Sequence, residues 1–252
     1  MIKYVFSDLK RALVSWKFTA SVVGVALTFY LFGFRPINVY SIVSAYHYNI
    51  FQMQVLLTYI FCIVPYGDSM CQDIECRFFR LLIIRGKTSY YGASKAIAVF
   101  LSAALTMVLG TGLYLLILKI RYPDALWITE GYEWGGMFDE FILKQKYVTH
   151  ILLCSVQLGL LTGILAMVST VASLYIANRL LTLSLPVISY YILCYVSEII
   201  FGLYSFGYIY DPWYTVCDSE RVSFFITLVV TLALFLVLTK IIIERMKRRL
   251  GL

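Results

Sequence analysis

Hydrophobic and charged residues fall on opposite sides of a helix at the start of the chain. From residue 2 to residue 17 the apolar residues recur at helical spacing, and charged residues fill the positions between them. The pattern predicts an amphipathic helix that lies in a membrane interface. Its apolar side carries Ile2, Val5, Phe6, Leu9, Leu13 and Trp16, and its polar side carries Lys3, Asp8, Lys10, Arg11 and Lys17.

Six apolar runs follow, and each is long enough to cross a hydrocarbon core of about 30 Å. The segment Gly202 to Tyr214, rich in glycine and aromatic residues, predicts a re-entrant segment before the sixth run. We therefore expect an all-α polytopic membrane protein in which residues 1–252 form a single transmembrane domain. The predicted spans lie at about residues 18–34, 50–67, 96–118, 148–177, 180–206 and 222–243.

Basic residues divide the predicted loops into two sets. Fifteen of the 21 Lys and Arg residues lie before the first span, between spans 2 and 3, between spans 4 and 5, or after span 6. The other six lie in the remaining loops, beside eight Asp and Glu residues. The positive-inside rule then predicts that both termini are cytoplasmic and that loops at about residues 35–49, 119–147 and 207–221 are external.

The composition excludes several classes of protein. Hydrophobic residues make up 61% of the chain and charged residues 14%, so a soluble domain is excluded and little length remains for a nucleotide-binding domain. Any ATPase must therefore be a separate chain. The net charge of +7 follows the membrane topology and indicates no nucleic acid partner. The six cysteines include no CxxC pair and predict no disulfide framework.

Motifs for catalysis are missing. The two histidines, His47 and His150, lack the spacing of a zinc protease, and the chain has no Gly-x-Ser-x-Gly sequence. The tripeptide beginning at Gly86 resembles the end of a P-loop, but Leu81 stands where the first glycine belongs. We predict no catalytic, cofactor-binding or metal site in this chain.

The predicted cytoplasmic loop from Asp68 to Lys95 is the most informative stretch. Acidic residues come first and basic residues come later, and the loop carries an apolar block formed by Phe78, Phe79, Leu81, Leu82, Ile83 and Ile84. The loop is either a solvated basic segment on lipid headgroups or a short helix whose aromatic side chains dock into a partner's groove.

These features together resemble the permease subunit of ABC-2 type ABC transporters, including those that export antimicrobial or modulin-like peptides. The resemblance covers the interfacial helix, the six spans, the loop between spans 2 and 3, and the segment before span 6. At the level of residues it rests on Asp68, Glu75, Arg85, Tyr91, Ser94 and Lys95.

The resemblance implies an ATP-driven exporter in the bacterial cell membrane. Such a complex would hold two copies of a separate ABC ATPase with its ATP and Mg²⁺, and a second permease subunit, identical or different. The substrate would be an amphipathic or hydrophobic molecule, with a peptide as our first choice. A coupling helix on the ATPase would include Glu75, Arg77, Phe78, Phe79, Arg80, Leu81 and Leu82, and Arg85, Tyr91 and Lys95 would lead back into span 3.

Aromatic residues and one acid are candidates for a substrate path or gate. Glu198 is the only acid deep within a predicted span, so it is either a functional charge or a solvated acid near the interface. Tyr59, Tyr191 and Tyr195 either belong to interfacial belts or line an amphipathic route. The Gly159-x-x-x-Gly163 motif fits a close helix crossing, either between subunits or within the chain.

Other classes of function stay open. An ATP-independent membrane scaffold or a secondary carrier is the main alternative. A carrier would more typically show inverted repeats and buried charges, and Glu198 is the only such feature in the sequence. A membrane enzyme comes third.

Overall fold

The computed structural model describes residues 2–33, 42–51, 55–76, 88–121, 136–176, 178–202, 205–217 and 219–249. Every regular element in these ranges is a helix, which confirms the all-α class. The helices are α1 (Ile2–Leu13), α2 (Trp16–Gly33), α3 (Ile42–Phe51), α4 (Val55–Ile63), α5 (Ser69–Glu75), α6 (Thr88–Arg121), α7 (Asp139–Leu143), α8 (Tyr147–Ser173), α9 (Arg179–Phe201), α10 (Phe206–Tyr210) and α11 (Glu220–Arg249).

Four of the described helices, α6, α8, α9 and α11, are long and apolar enough to cross a membrane. A fifth candidate is the pair α1 and α2, which meet at a bend of 57°. Ser15 occupies this bend: its hydroxyl donates to the carbonyl of Ala12 and accepts from the amide of Phe18. By length and composition, this is the helix content of a polytopic membrane protein.

The structure describes part of the run predicted as span 2. The end of α3 and the nine-residue α4 lie within it, and residues 52–54 lie outside the described residues. α4 is followed by a turn that contains Pro65, a residue that lacks the amide needed to continue a helix. The six-span arrangement stays a prediction.

α6 and α8 pack against each other along their lengths at the centre of the bundle. A Cβ added at Gly159 would lie 3.1 Å from the carbonyl oxygen of Ala104, and one at Gly163 would lie 2.6 Å from the ring of Phe100. These close approaches favour glycine, because a side chain at either position would force α6 or the ring of Phe100 to shift. The Gly159-x-x-x-Gly163 motif therefore serves a helix crossing within the chain, which confirms the intrachain interpretation.

The short helix α10 lies between α8 and α11. The carbonyl oxygen of Ile209 accepts a hydrogen bond from Gln157 Nε2 at 3.1 Å and another from Thr227 Oγ1 at 3.0 Å. The hydroxyls of Tyr210 and Thr231 lie 2.8 Å apart. A five-residue helix leaves backbone carbonyls without partners inside the helix, and Gln157 and Thr227 supply hydrogen bonds to one of them. Such bonds are needed because an unpaired polar group in apolar surroundings is costly.

Polar contacts define two ends of the bundle. The α1 end holds α1, α5, the start of α6 and the junction where Arg249 Nη1 donates to the carbonyl of Leu174 at 2.9 Å. The α3 end holds α3, α7, the start of α8 and residues 211–217, where the amide of Met137 donates to the carbonyl of Pro212 at 2.8 Å. Among the described residues, a buried cluster of polar side chains lies at each end.

Candidate functional site

An ionic cluster is buried where α1, α5 and α6 meet at the α1 end. Lys95 lies at its centre, with 1% of its side chain exposed. Its Nζ lies 2.7 Å from Asp73 Oδ2 and 4.0 Å from Asp8 Oδ1, and it donates to the hydroxyl of Tyr66 at 3.0 Å. One lysine of α6 thus contacts an acid from α5 and an acid from α1.

Hydroxyl groups donate further hydrogen bonds to both acids. Tyr66 and Ser94 each donate to Asp8, at 2.7 Å from its Oδ1 and 2.7 Å from its Oδ2 respectively, and Tyr91 donates to Asp73 Oδ2. Tyr91, Ser94 and Lys95 fall on one face of α6, because helical residues three and four positions apart are neighbours. We call Asp8, Arg11, Tyr66, Asp73, Tyr91, Ser94 and Lys95 the ionic cluster.

The charges of the ionic cluster cancel. Arg11 lies at the exposed edge of the cluster, and its Nη1 is 3.4 Å from Asp73 Oδ1, so two acids face two bases. A second pair lies beside them, with Lys17 Nζ 3.0 Å from Asp68 Oδ2. Burial of a charge is expensive unless it is paired and hydrogen-bonded, and this arrangement meets both conditions.

Residues from both sides of the amphipathic helix α1 contact the protein. Asp8 and Arg11, from its polar side, pair with the bundle, and Leu9, from its apolar side, packs against the hydrophobic core. Phe6 on the apolar side is exposed, as are Val14 and Trp16 at the bend that follows. This orientation suits an interfacial helix that shares its apolar side between lipid and protein.

The ionic cluster flanks the predicted coupling segment. Residues 77–87 connect α5 to α6 and lie outside the described residues, and with them Arg77, Phe78, Phe79, Arg80, Leu81, Leu82 and Arg85. Of the predicted coupling residues, the structure describes Glu75, whose Oε2 accepts from Arg179 Nε at 3.1 Å. The hydrogen bonds from Arg179 hold the pKa of Glu75 below its ordinary value. The pair ties the end of α5 to the first turn of α9.

The predicted path residues lie in two different environments. Tyr191, Tyr195 and Glu198 are exposed on one face of α9. Tyr59 of α4 is buried, and its ring packs edge-on against Tyr190, 5.4 Å between centroids. The structure therefore brings Tyr59 against α9 through Tyr190, apart from the exposed residues.

A second polar cluster, at the α3 end, is one that the sequence analysis missed. The Nε2 atoms of His47 and His150 lie 2.8 Å apart, and the Sγ of Cys154 lies 3.6 Å from His150 Nε2. All three side chains are buried, and their ligand atoms lie within 4.8 Å of one another. We call them the His/Cys cluster.

The sequence shows only one of the pairings in this cluster. His150 and Cys154 are four positions apart, which places them on one helical face, but His47 is 103 positions from His150. The prediction of no metal site rested on spacing along the chain, whereas the fold brings these side chains together.

Comparisons with known proteins do not identify either cluster: no family, no curated protein and no solved structure matches this chain.

Proposed function

We propose that this protein is the membrane-spanning subunit of an ABC-2 type exporter, energised by a separate ATPase that holds ATP and Mg²⁺. The observation that carries the proposal is the ionic cluster, which joins α1 to both helices that flank residues 77–87. The substrate is an amphipathic or hydrophobic molecule, with a peptide as the first choice.

Force applied to a loop moves a span only if the loop is firmly attached to it. Asp73 precedes residues 77–87 and Lys95 follows them, and their side chains are 2.7 Å apart. Asp8 adds α1 to the same unit, and the exposed pair of Glu75 and Arg179 adds a weaker contact with the first turn of α9. A push on residues 77–87 would therefore reach α1 and α6 together, as a coupling segment requires.

The proposal includes six spans, a re-entrant segment around α10 and cytoplasmic termini in a bacterial cell membrane. It is tested on a cysteine-free background with single cysteines at positions 80 and 133. A membrane-impermeant thiol reagent applied to intact cells should label position 133 and leave position 80 unlabelled. The reverse pattern would invert the topology and exclude a cytoplasmic coupling segment.

Isolation of the tagged chain from its native membrane tests the coupling function. We expect a chain with a P-loop and ATPase activity to copurify. Phe78→Ala combined with Phe79→Ala should weaken this association by tens of fold or more, because a docked aromatic anchor contributes about 2 kcal/mol or more. The matched control is Leu143→Ala, at an exposed position of the α3 end, which should retain the ATPase.

The outcomes separate the proposal from its alternatives. If the double variant keeps its ATPase and full ATP hydrolysis, residues 78 and 79 are not the docking anchors. If no ATPase copurifies with the wild type, the exporter proposal fails and an ATP-independent scaffold or secondary carrier takes its place.

We propose the exposed face of α9 as part of the substrate path or its gate, shared with the second permease subunit. Tyr191, Tyr195 and Glu198 combine apolar surface with polar groups, as an amphipathic substrate requires. Tyr59 supports this face from behind through Tyr190. We expect Glu198→Gln to lower transport at an unchanged amount of folded complex, and Glu244→Gln, at an acid of α11, to leave it unchanged. Equal transport in both variants would show that Glu198 is a solvated acid with no role in transport.

A further inference from the structure

We propose that His47, His150 and Cys154 bind one d¹⁰ transition metal ion, Zn²⁺ or Cu⁺, at the α3 end of the bundle. The site joins α3 to α8, two helices that are distant in sequence. It is independent of the exporter proposal, because no coupling or path residue contributes to it.

The distances from His150 to the other two side chains are close to those around such an ion, and all three ligand atoms lie within 4.8 Å of one another. A tetrahedral ion with nitrogen ligands at about 2.0–2.1 Å and sulfur at about 2.3 Å separates nitrogen from sulfur by about 3.6 Å and two nitrogens by about 3.3 Å. The distance from Cys154 Sγ to His150 Nε2 is 3.6 Å. The two Nε2 atoms, at 2.8 Å, need to separate by only about 0.5 Å to reach the tetrahedral spacing.

The backbone orients His150 as a ligand. Its Nδ1 lies 3.0 Å from the carbonyl oxygen of Phe138, and only a protonated Nδ1 can donate to that oxygen. The lone pair of the neutral ring is then on Nε2, the atom next to Cys154 and His47. A backbone carbonyl that fixes the tautomer in this way is the usual outer-shell partner of a metal-binding histidine.

The turn that supplies this carbonyl is strained. Phe138 has φ of 72°, in the left-handed region that large side chains rarely adopt. Its own side chain is buried and packs edge-on against Phe224, 5.3 Å between centroids. Strain of this kind persists where the surroundings over-determine it and is concentrated at binding sites.

The ligand chemistry selects the class of ion. Imidazole and thiolate bind Zn²⁺ and Cu⁺, whereas Mg²⁺ and Ca²⁺ require oxygen ligands. A single thiolate balances the charge of Cu⁺ completely and leaves one positive charge with Zn²⁺. The three protein ligands suit trigonal Cu⁺, or tetrahedral Zn²⁺ with a water molecule as the fourth ligand.

A metal-free explanation also exists for the histidine pair. Nε2–H of His47 can donate to Nε2 of His150, and the two rings would then form an ordinary hydrogen bond. This explanation gives Cys154 no role and predicts no metal affinity. Metal binding therefore distinguishes the two.

The experiment uses the full-length protein, purified in detergent with an affinity tag that contains no histidine. Zn²⁺ is added in one arm and Cu⁺ under reducing conditions in another, and bound metal is counted after removal of excess. We expect one equivalent of at least one ion in the wild type. Loss of an outer-shell partner lowers metal affinity about 10-fold to 100-fold. Cys154→Ser and His150→Gln each remove a direct ligand, so their metal affinity should fall further than that.

Cys62→Ser is the matched control, since Cys62 is buried in α4 and is no part of the cluster. It should bind metal as the wild type does. Binding below one tenth of an equivalent in both arms, or equal binding by Cys154→Ser and the wild type, would overturn the proposal.

Trp213 gives a readout that needs no ligand variant. Its indole packs edge-on against His47, 4.7 Å between ring centroids. Co²⁺, used as a stand-in for Zn²⁺, should develop thiolate-to-metal absorption and quench the fluorescence of Trp213, and Trp213→Phe should lose most of the quenching. A wild type that shows neither signal at saturating Co²⁺, and no metal in either arm, contains only the hydrogen-bonded histidine pair.

Discussion

The two buried polar clusters differ in how they compensate the cost of burial. At the α1 end, Asp8 and Asp73 face Lys95 and Arg11, and hydroxyl groups occupy further acceptor positions of both carboxylates. At the α3 end, His47 and His150 present ring nitrogens toward each other and toward a thiol. The first cluster is complete with the protein's own charges, whereas the second converges on a position that a cation can occupy.

Lys95→Met should have the largest effect on stability. It leaves Asp73 and Asp8 buried with one base fewer, and breaking a buried ion pair in this way costs about 3–5 kcal/mol. The measurement is the free energy of unfolding in detergent, followed together with protease cleavage at the α1–α2 bend. We expect a lower stability and faster cleavage.

The double variant Lys95→Met with Asp73→Asn tests the cause. It should recover part of the loss, because it removes an uncompensated charge along with its partner. Lys240→Met, at an exposed position of α11, is the matched control and should leave the stability unchanged. If Lys240→Met and Lys95→Met behave alike, the ionic cluster does not hold α1.

The next largest effect should come from adding metal to the wild type. An ion that binds only the folded protein stabilises it by about 2.7 kcal/mol at a concentration 100 times its Kd. We expect a rise in the unfolding temperature with Zn²⁺ or Cu⁺ and none with Mg²⁺. Cys154→Ser should abolish the rise while Lys240→Met retains it, and an equal rise with Mg²⁺ would exclude a site selective for nitrogen and sulfur ligands.

A smaller pair of effects compares a hydrogen bond to a charged acceptor with hydrogen bonds between neutral groups. Ser94→Ala removes a donor to the charged Asp8 and should cost about 1.5 kcal/mol, the lower end for charged acceptors, because Tyr66 still donates to the same acid. His150→Gln in the presence of a chelator removes two bonds between neutral groups, to the carbonyl of Phe138 and to Nε2 of His47, and should cost about 1 kcal/mol for each bond. A larger loss per bond in His150→Gln than in Ser94→Ala would contradict the charge assignment of the clusters.

The smallest effect should be the pH dependence of the exposed pair Glu75 and Arg179. Because Arg179 lowers the pKa of Glu75 in the folded state, the pair stabilises the fold above the ordinary glutamate pKa of 4.5. This contribution is lost as the pH falls through the lower, folded-state pKa. Unfolding measured from neutral to acid pH should show a slightly smaller loss in Glu75→Gln than in the wild type. Identical profiles would show that the pair forms no stable bond.

Hydropathy predicted the long helices, because length and apolar composition are local properties. α6, α8, α9 and α11 fall where four of the predicted spans lie. The periodicity of residues 2–17 predicted α1, but it could not tell that Asp8 and Arg11 face the protein. A helical pattern defines two faces, but it does not reveal which of their residues meet a partner such as Lys95, 87 residues from Asp8.

The two clusters also differ in how much of each can be predicted from the sequence. Tyr91, Ser94 and Lys95 belong to the residues that carry the resemblance to ABC-2 permeases, and the structure places all three in the ionic cluster. His47 was dismissed because no ligand lies near it in sequence. Helix packing alone brings it to His150, and packing between distant segments leaves no local pattern.

The connectivity of the ionic cluster also sets the order in which it is completed during translation. Asp8 and Asp73 both leave the ribosome before Lys95, since all three belong to one chain read from the N-terminus. The lysine that is buried in α6 therefore reaches the membrane only after both of its counterions have been synthesised.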